Sequence, residues 1–344
     1  MTGKILIVAC IACLASACQA QAVGSERRQA SDSETGQKAV EMPSTARRLA
    51  PQALRQDGRV TLSPGFSPDG QTMYFTQANC ARIWQCPQRL MRSVLVDGEW
   101  QEAQFVPLPF DGRVDWPSVS PDGQFLLFSW AITRNRHRGE DVREDFDLYL
   151  LDLTEEGAIP VPLDEPDINR IRGGEVRTLR FVNNETAPVL TTHGDLYFWS
   201  ERLDGPGERD VYVARRSPGG FAAPAPLPAP INSPQREDGS WVNVAGDLLL
   251  FSTPDRGGEG GADIYCSRRI DGGWTEPLPL GPAINSRFND GAARLTPDGR
   301  RIVFTSDRPV SADAEPGLYQ VWEAPVPDTL SRCLTEYASE RTGT

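Results

Sequence analysis

The sequence predicts an all-β fold, and three observations support this prediction. A turn that ends in glycine recurs five times, twice as "SPDG" and once as "TPDG". A short apolar segment follows each turn, such as "QTMYFT" or "RRIVFT". The repeat region carries no sustained helical period, and short strands joined by such turns are typical of antiparallel sheet. The turn glycines are Gly70, Gly123, Gly194, Gly246 and Gly299.

The spacing of these glycines predicts the number of repeats. Consecutive turn glycines are 53, 71, 52 and 53 residues apart. Most units also contain a further strand of the "ADIYCSR" type and a Trp- and Pro-rich strand of the "WTEPLPL" type. With one strand before the glycine turn and one after it, each unit is expected to form a four-stranded antiparallel sheet. Five such units are expected, and the 71-residue interval leaves a sixth possible.

A four-stranded sheet of this size cannot bury both of its faces alone. Sheets set radially cover one another and leave only short edges exposed, so the repeat predicts a β-propeller of five blades over residues 50–327. The last unit ends after "LYQVWEAPV" without an outer strand. We expect residues 50–56 to supply it, so that an N-terminal strand closes the ring.

The N-terminus resembles an export signal. Lys4 precedes the apolar stretch "ILIVACIACLASA", which predicts a signal peptide over residues 1–17. Cys18 then follows in the context "LASAC", which resembles a bacterial lipoprotein signal, although ordinary cleavage after "ASA" is an open alternative. With Gln19 next, the expected location is the periplasm, with a lipid anchor in the outer membrane as the only membrane contact. Residues 18–49 are expected to be a flexible polar linker and residues 328–344 a tail.

The mature chain retains four cysteines besides Cys18. An exported compartment permits disulfides, and Cys80 with Cys86 is the expected pair because only six positions separate them. Cys266 and Cys333 would then remain as the other two, although three connectivities are possible from sequence alone.

The composition excludes several classes of function. A formal net charge of −12 disfavours a nucleic-acid partner. The two histidines lie near no cysteine pair, so we expect no metal site, and no phosphate loop or nucleophile-elbow motif is present. We therefore expect no cofactor and no catalytic residues.

An acidic residue lies eight or nine positions before the turn glycine in four of the five units. In a propeller this position starts the innermost strand, at one mouth of the central channel. Carboxylates there would attract a cation or an Arg or Lys side chain of a partner. Two alternatives stay open: each acid bonds a nearby amide or Arg, or two of them perform acid–base work on a glycosidic bond. The acids are Asp115, Glu185, Asp238 (beside Glu237) and Asp290.

A second recurring arrangement pairs an arginine with an aspartate later in the same unit. Arg202 with Asp210, and Arg256 with Asp263, would hold the long loop between the second and third strands. A structural role is expected because the arrangement repeats from unit to unit.

The repeats "FSPDGQTMYFTQ", "VSPDGQFLLFSW" and "LTPDGRRIVFTSDR" resemble the WD-like propeller repeat of the periplasmic TolB family. The resemblance covers residues 60–325. It implies a secreted propeller with a binding or scaffolding role and no shared catalytic residue. The expected function is therefore that of a monomeric, non-catalytic envelope protein that binds a protein or peptide through one mouth of its channel. The alternative is a carbohydrate-active enzyme or a sugar-binding propeller.

Overall fold

The structure is a computed structural model of the chain. It separates a unit of residues Met1–Ala39, which lies outside the described residues, from a unit of Val40–Thr344 that contains the fold below. The predicted signal peptide, Cys18 and nearly all of the predicted linker also lie outside. Within the described part of the chain, no helix is long and apolar enough to cross a membrane. The described residues are 46–50, 52–54, 59–80, 83, 86–132, 145–170, 184–310 and 317–335, with the backbone of 135–137 and 140–142.

The fold is an all-β propeller of five blades, as predicted, and every blade is an antiparallel sheet. The first strand in the chain, β1 (Arg47–Arg48), belongs to the last blade. In blade 1 the outer position is shared by two short strands that both pair with β4. The strands of blade 1 are β2 (Val60–Phe66), β3 (Thr72–Ala78), β4 (Gln88–Val96), β5 (Glu99–Trp100) and β6 (Gln104–Phe105).

Blades 2 and 3 each carry a small extra hairpin besides their four strands. Blade 2 contains β7 (Arg113–Val119), β8 (Phe125–Ala131), the hairpin β9 (Asn135–His137) and β10 (Glu140–Val142), β11 (Phe146–Asp152) and β12 (Val161–Pro162). Blade 3 contains β13 (Glu185–Leu190), β14 (Leu196–Ser200), β15 (Asp210–Ala214), the hairpin β16 (Arg216–Ser217) and β17 (Gly220–Phe221), and β18 (Ala225–Pro226).

Blades 4 and 5 repeat the same order from the innermost strand outward. Blade 4 contains β19 (Asp238–Val242), β20 (Leu248–Thr253), β21 (Asp263–Ile270), β22 (Gly273–Trp274) and β23 (Leu278–Pro279). Blade 5 contains β24 (Asp290–Leu295), β25 (Arg301–Ser306), β26 (Gln320–Pro325) and β1.

The five turn glycines connect the two inner strands of each blade, as predicted. Their φ angles lie between +68° and +82°, the left-handed region that glycine adopts without a steric penalty. In the first of these turns the Asp69 carboxylate accepts hydrogen bonds from the Ser67 hydroxyl and the Gln71 amide. A turn that ends in glycine therefore recurs because every blade needs the same tight connection between its two inner strands.

The blades are held together by apolar contacts between their faces. In β20, Leu248 and Leu250 pack against blade 5, whereas Leu249 and Phe251 pack against blade 3. Successive strand residues point to opposite faces, so a strand between two neighbours buries both. Equivalent clusters join blades 1 and 2, 2 and 3, and 5 and 1. Radial stacking accounts for the continuous apolar runs after the turns.

The predicted ring closure is confirmed, but a different segment provides the strand. Residues Arg47 and Arg48 pair with β26, before the expected segment 50–56. The expected segment cannot continue the strand, because Ala50 has φ +39° and its carbonyl accepts a hydrogen bond from the Leu54 amide. The chain turns there, and Leu54 packs into the core between blades 5 and 1.

Two disulfides and one helix complete the fold. Cys80 pairs with Cys86, as predicted, and Cys266 pairs with Cys333. Cys333 belongs to α1 (Asp328–Thr335), which follows the last blade, whereas Cys266 belongs to β21 of blade 4. Leu330 of α1 is fully buried in the core between blades 4 and 5. The disulfide therefore fastens the C-terminal helix over that junction.

Candidate binding site at the channel mouth

All five inner strands contain a β-bulge at the same place. The register shifts once in each pairing of an inner strand with its neighbour. Within each bulge one residue, seven positions before the turn glycine, has a φ between +51° and +59°. Bulges bend a strand and redirect its side chains. The bulge residues are Ser63, Trp116, Ala187, Gly239 and Ala292.

The bulges surround a cavity of about 640 Å³. Its wall includes the residue immediately before the bulge residue in every blade. Loops next to the starts of the inner strands complete the wall, so the cavity occupies the channel mouth on the side away from the glycine turns. The five pre-bulge residues are Leu62, Asp115, Thr186, Asp238 and Gly291.

The four predicted acids fall into two groups. Asp115 and Asp238 precede their turn glycines by eight positions and line the cavity. Glu185 and Asp290 precede theirs by nine positions and are fully buried, although Asp290 also belongs to the cavity wall. Neighbouring strand positions face opposite sides, which separates the two groups. Three acids of the expected ring therefore belong to the cavity wall, and of these Asp238 is the one that is partly exposed. Their role in binding a partner or cation stays a prediction.

The buried acids neutralise arginines within their own blades. Glu185 accepts hydrogen bonds from Arg202 (3.0 Å) and Ser200 (3.0 Å), and Asp290 accepts one from Arg308 (2.6 Å). Glu237 has the same place in blade 4, where it lies 3.4 Å from Arg256. Each of these acids also accepts a hydrogen bond from a backbone amide just before its blade, those of Arg170, Ser233 and Ser286. This repetition indicates a structural device.

The two arginines of the predicted arginine–aspartate pairs bind the buried acids. Arg202 and Arg256 form ion pairs with Glu185 and Glu237. Asp210 accepts hydrogen bonds from the Gly207 amide, and the carboxylate of Asp263 accepts one from the Gly260 amide. The guanidinium groups of both arginines also donate hydrogen bonds to backbone carbonyls of the segment before the blade, such as those of Ile168 and Ile231.

Glu185 provides a test of this device through pH. Burial raises the pKa of Glu185 to about 7, opposed by Arg202 and reinforced by the nearby carboxylate of Asp147. Between pH 4.5 and about 7 the folded state therefore keeps a proton that the unfolded state has released. Stability should fall as the pH rises through this window, by at most about 1.4 kcal/mol per pH unit. Urea unfolding at several pH values should show this slope reduced in Glu185→Gln, and an unchanged slope would contradict the assignment.

Asp115 is held in place by its own strand and by the neighbouring blade 1. Its carboxylate accepts hydrogen bonds from the Trp116 amide (2.8 Å) and the Thr76 hydroxyl (2.9 Å). Burial raises its pKa above the ordinary aspartate value, and hydrogen bonds with Ser63, Trp116 and Thr76 oppose this effect. These contacts hold the bulge of blade 2 in position at the cavity wall.

Asp238 belongs to a hydrogen-bonded network and stays partly exposed. It accepts a hydrogen bond from Arg209 (2.9 Å) and another from the Ser252 hydroxyl (3.2 Å). Arg209 also donates to Glu201, and its guanidinium lies 5.1 Å from the ring centroid of Trp199. The side chain of Asp238 is 26% exposed, so it is accessible from the cavity.

Aromatic side chains form much of the remaining wall. Trp116, Phe146, Trp199 and Tyr319 all line the cavity. Burial raises the pKa of Tyr319 to about 12, and the carboxylates of Asp307, Asp238 and Asp290 act in the same direction. The side chain of Trp116 was not singled out from the sequence. The available signal was its position seven residues before a turn glycine, where the other blades have Ser, Ala or Gly.

A buried arginine crosses the channel below the cavity. Arg294 of blade 5 donates a hydrogen bond to the Pro117 carbonyl of blade 2 (3.1 Å). A side chain at Gly65 of blade 1 would clash with both groups. Burial lowers the pKa of Arg294 to about 9. Arg294 therefore links two blades, 5 and 2, that are not neighbours in the ring.

Comparison with known proteins gives matches among solved structures. No protein-family model and no curated protein matches the sequence. Similar solved structures include TolB from Acinetobacter baumannii, at 16% identity and a TM-score of 0.44, over 77% of this chain and 54% of that one. The putative TolB from Agrobacterium tumefaciens has 16% identity and a TM-score of 0.46, over 80% of this chain and 93% of that one.

Glycoside hydrolases are also among the similar structures. An α-L-arabinofuranosidase from Lactobacillus brevis has 12% identity and a TM-score of 0.48, over 80% of this chain and 93% of that one. The chain spans about half the length of the Acinetobacter TolB that it matches. Similarity at these identities is similarity of fold, so the function is argued below from the site itself.

Proposed function

We propose that this protein is a non-catalytic binding protein of the cell envelope, which holds a protein or peptide segment at the mouth of its channel. The observation that supports this proposal is the 640 Å³ cavity, whose wall includes the residue before the bulge in every blade. A wide aromatic wall suits the insertion of a side chain or loop from a partner.

The state of the carboxylates favours binding over acid–base chemistry. Asp238 is bound to Arg209, and Asp115 is bound by the Trp116 amide of its own strand and the Thr76 hydroxyl of blade 1. A general acid or base must exchange a proton with the substrate in each cycle. Carboxylates engaged in this way provide fixed hydrogen-bond acceptors, which a binding surface requires.

Export and anchoring complete the proposal. Two disulfides agree with an oxidising compartment such as the periplasm. A lipid on Cys18 would place the propeller near the outer membrane, and the predicted linker, which ends where β1 begins at Arg47, would let it reach a partner there. We propose that the propeller acts as a monomer, because the five blades already cover one another's faces.

Site-directed photo-crosslinking in intact cells tests the proposal. With p-benzoyl-phenylalanine at position Tyr319, in the cavity wall, we expect an envelope protein to be captured. Position Val161, which is 58% exposed on the outer strand of blade 2, is the matched control and should capture this protein much less. Equal capture from both positions, or none from position 319, would rule out the mouth as the binding surface. The captured protein is identified by mass spectrometry.

A second function has one specific observation in its favour. Asp115 and Asp238 lie in blades 2 and 4, which are not neighbours in the ring, and they line one cavity together with Trp116. Two acids across an aromatic-lined cavity are also the components of a glycoside hydrolase. If this function is correct, purified protein will hydrolyse aryl glycosides, and both Asp115→Asn and Asp238→Asn will abolish turnover. Absence of turnover over a broad glycoside panel would leave the binding function alone.

A further inference from the structure

We propose that the partner places an arginine side chain in the mouth cavity, with its guanidinium group stacked on the indole of Trp116 and its charge opposite Asp238. This inference rests on the proposed function and names the chemistry of the partner: a basic, arginine-containing segment.

The first step concerns the backbone of Trp116. Its φ of +55° lies in the left-handed region, which is strained for any residue with a Cβ atom. At this bulge position the other four blades have small residues: Ser63, Ala187, Gly239 and Ala292. Strain of this kind persists where the surrounding structure imposes it, and it is concentrated at functional sites. The backbone at this position disfavours any large side chain, so the presence of a tryptophan there indicates a role beyond packing.

The second step concerns where the indole lies. A Cβ atom at Gly239 would be 3.2 Å from Cη2 of Trp116, so the indole extends from blade 2 across the channel to blade 4. Glycine in blade 4 provides the space for it. Trp116 also belongs to the cavity wall, so a ligand that enters from the mouth can contact its ring.

The third step compares the aromatic rings of the cavity. The Phe146 ring has the guanidinium of Arg113 at 4.9 Å from its centroid, and Trp199 has that of Arg209 at 5.1 Å. No arginine or aromatic ring among the described residues stacks on Trp116 in this way. The cavity thus already contains two guanidinium–aromatic stacks, whereas Trp116, like Tyr319, has no stacking partner among the described residues. Trp is the aromatic side chain that binds cations best.

The fourth step concerns charge. The cavity wall contains the carboxylates of Asp115, Asp238 and Asp290 and the guanidinium groups of Arg113, Arg209 and Arg236, so the charge that a ligand meets depends on the individual side chain. Asp238 is one of the carboxylates, and its side chain is 26% exposed. A carboxylate has about four acceptor positions, so Asp238 can accept further hydrogen bonds beyond those from Arg209 and Ser252. A guanidinium group combines a planar face for Trp116 with edge donors for Asp238.

Peptide titration of the purified mature chain tests this inference. The probes are acetylated, amidated pentapeptides of the sequence Gly-X-Gly-X-Gly, with X as arginine, lysine or glutamine. We expect the arginine peptide to bind at least about tenfold more tightly than the glutamine peptide, the equivalent of about 1.4 kcal/mol. The lysine peptide should be intermediate, because an ammonium group lacks the planar face. Calorimetry measures all three affinities.

The decisive variant is Trp116→Gly. It should weaken binding of the arginine peptide at least about tenfold, which is equivalent to 1.4 kcal/mol. Its Tm should be no lower than that of the wild type, because glycine adopts a positive φ without strain. A purely structural tryptophan would give the opposite pattern, a lowered Tm with unchanged binding. Ala187→Gly, at the same bulge position of blade 3, is the matched control and should leave the affinity unchanged.

Three results would overturn the inference. The first is equal affinity for the arginine and glutamine peptides, including no binding of either. The second is unchanged arginine-peptide binding in Trp116→Gly. The third is binding of a neutral oligosaccharide that depends on Trp116, which would assign the ring to a sugar. Crosslinking in cells tests the proposed function, whereas peptide titration tests the present inference. If a partner is captured in cells but the arginine and glutamine peptides bind equally, only the present inference is rejected.

Discussion

Replacing Arg308 with methionine is expected to lower the free energy of unfolding by about 3–5 kcal/mol. Arg308 and Asp290 are 1% and 0% exposed, and their ion pair is 2.6 Å long. Methionine keeps much of the side-chain volume but leaves the Asp290 carboxylate buried without its counter-charge. The guanidinium also donates to the Ile284 carbonyl and the Ser306 hydroxyl, and these acceptors lose their donor as well.

The measurement is equilibrium unfolding in urea, with two comparisons. Arg47→Met removes a pair with Glu323 in which Arg47 is 73% exposed, and it should cost less than about 1 kcal/mol. Arg308→Met combined with Asp290→Asn should recover part of the loss, because the buried charge is then absent. If Arg308→Met costs no more than Arg47→Met, the assignment of the buried acids as structural neutralisers of arginine is wrong.

Removing the Cys266–Cys333 disulfide should have the next largest effect. The bridge spans 67 positions of the chain, and chain-entropy estimates for a loop of this length give about 4 kcal/mol. Cys266 and Leu330 share the core between blades 4 and 5, so loss of the bridge should also release α1 from that junction. Alanine at both positions keeps the sites apolar and avoids burying a hydroxyl.

The other disulfide is the natural control. Cys80 and Cys86 are six positions apart, so their bridge restricts the unfolded chain less and should contribute about 2 kcal/mol. Urea unfolding of the two double alanine variants should therefore differ by about 2 kcal/mol. Equal losses would show that the long-range bridge does not restrain the C-terminal helix as described. Hydrogen exchange of α1 should rise only in the variant without Cys266–Cys333.

The fold was predictable because its determinants are local and repeated. A glycine turn needs a positive φ, and all five predicted glycines have one. Each apolar run, such as "DLLLFS" in blade 4, is continuous because its two faces pack against two neighbouring blades. The closing strand was predicted a few residues too late. A strand of only two residues, Arg47 and Arg48, has no recognisable sequence pattern, although it pairs with β26.

The site was predictable only in part. Counting back from the turn glycine located the acids at the starts of the inner strands, but it grouped Asp115 and Asp238 with Glu185 and Asp290. The difference of one position decides which face a strand residue occupies, and only Asp115 and Asp238 precede the bulge residue directly. The bulge at Trp116 could not be predicted from residue preference, because tryptophan does not favour a positive φ.

A crystal structure of the mature chain with the acetylated Gly-Arg-Gly-Arg-Gly amide tests most directly the claim that the channel mouth is the functional surface. We expect one guanidinium group within about 6 Å of the Trp116 ring centroid, with its edge donating to Asp238. Another groove of about 340 Å³ runs beside Phe105, Phe110 and Trp130, at the junction of blades 1 and 2. Peptide bound there, with the face of Trp116 unoccupied, would contradict the account.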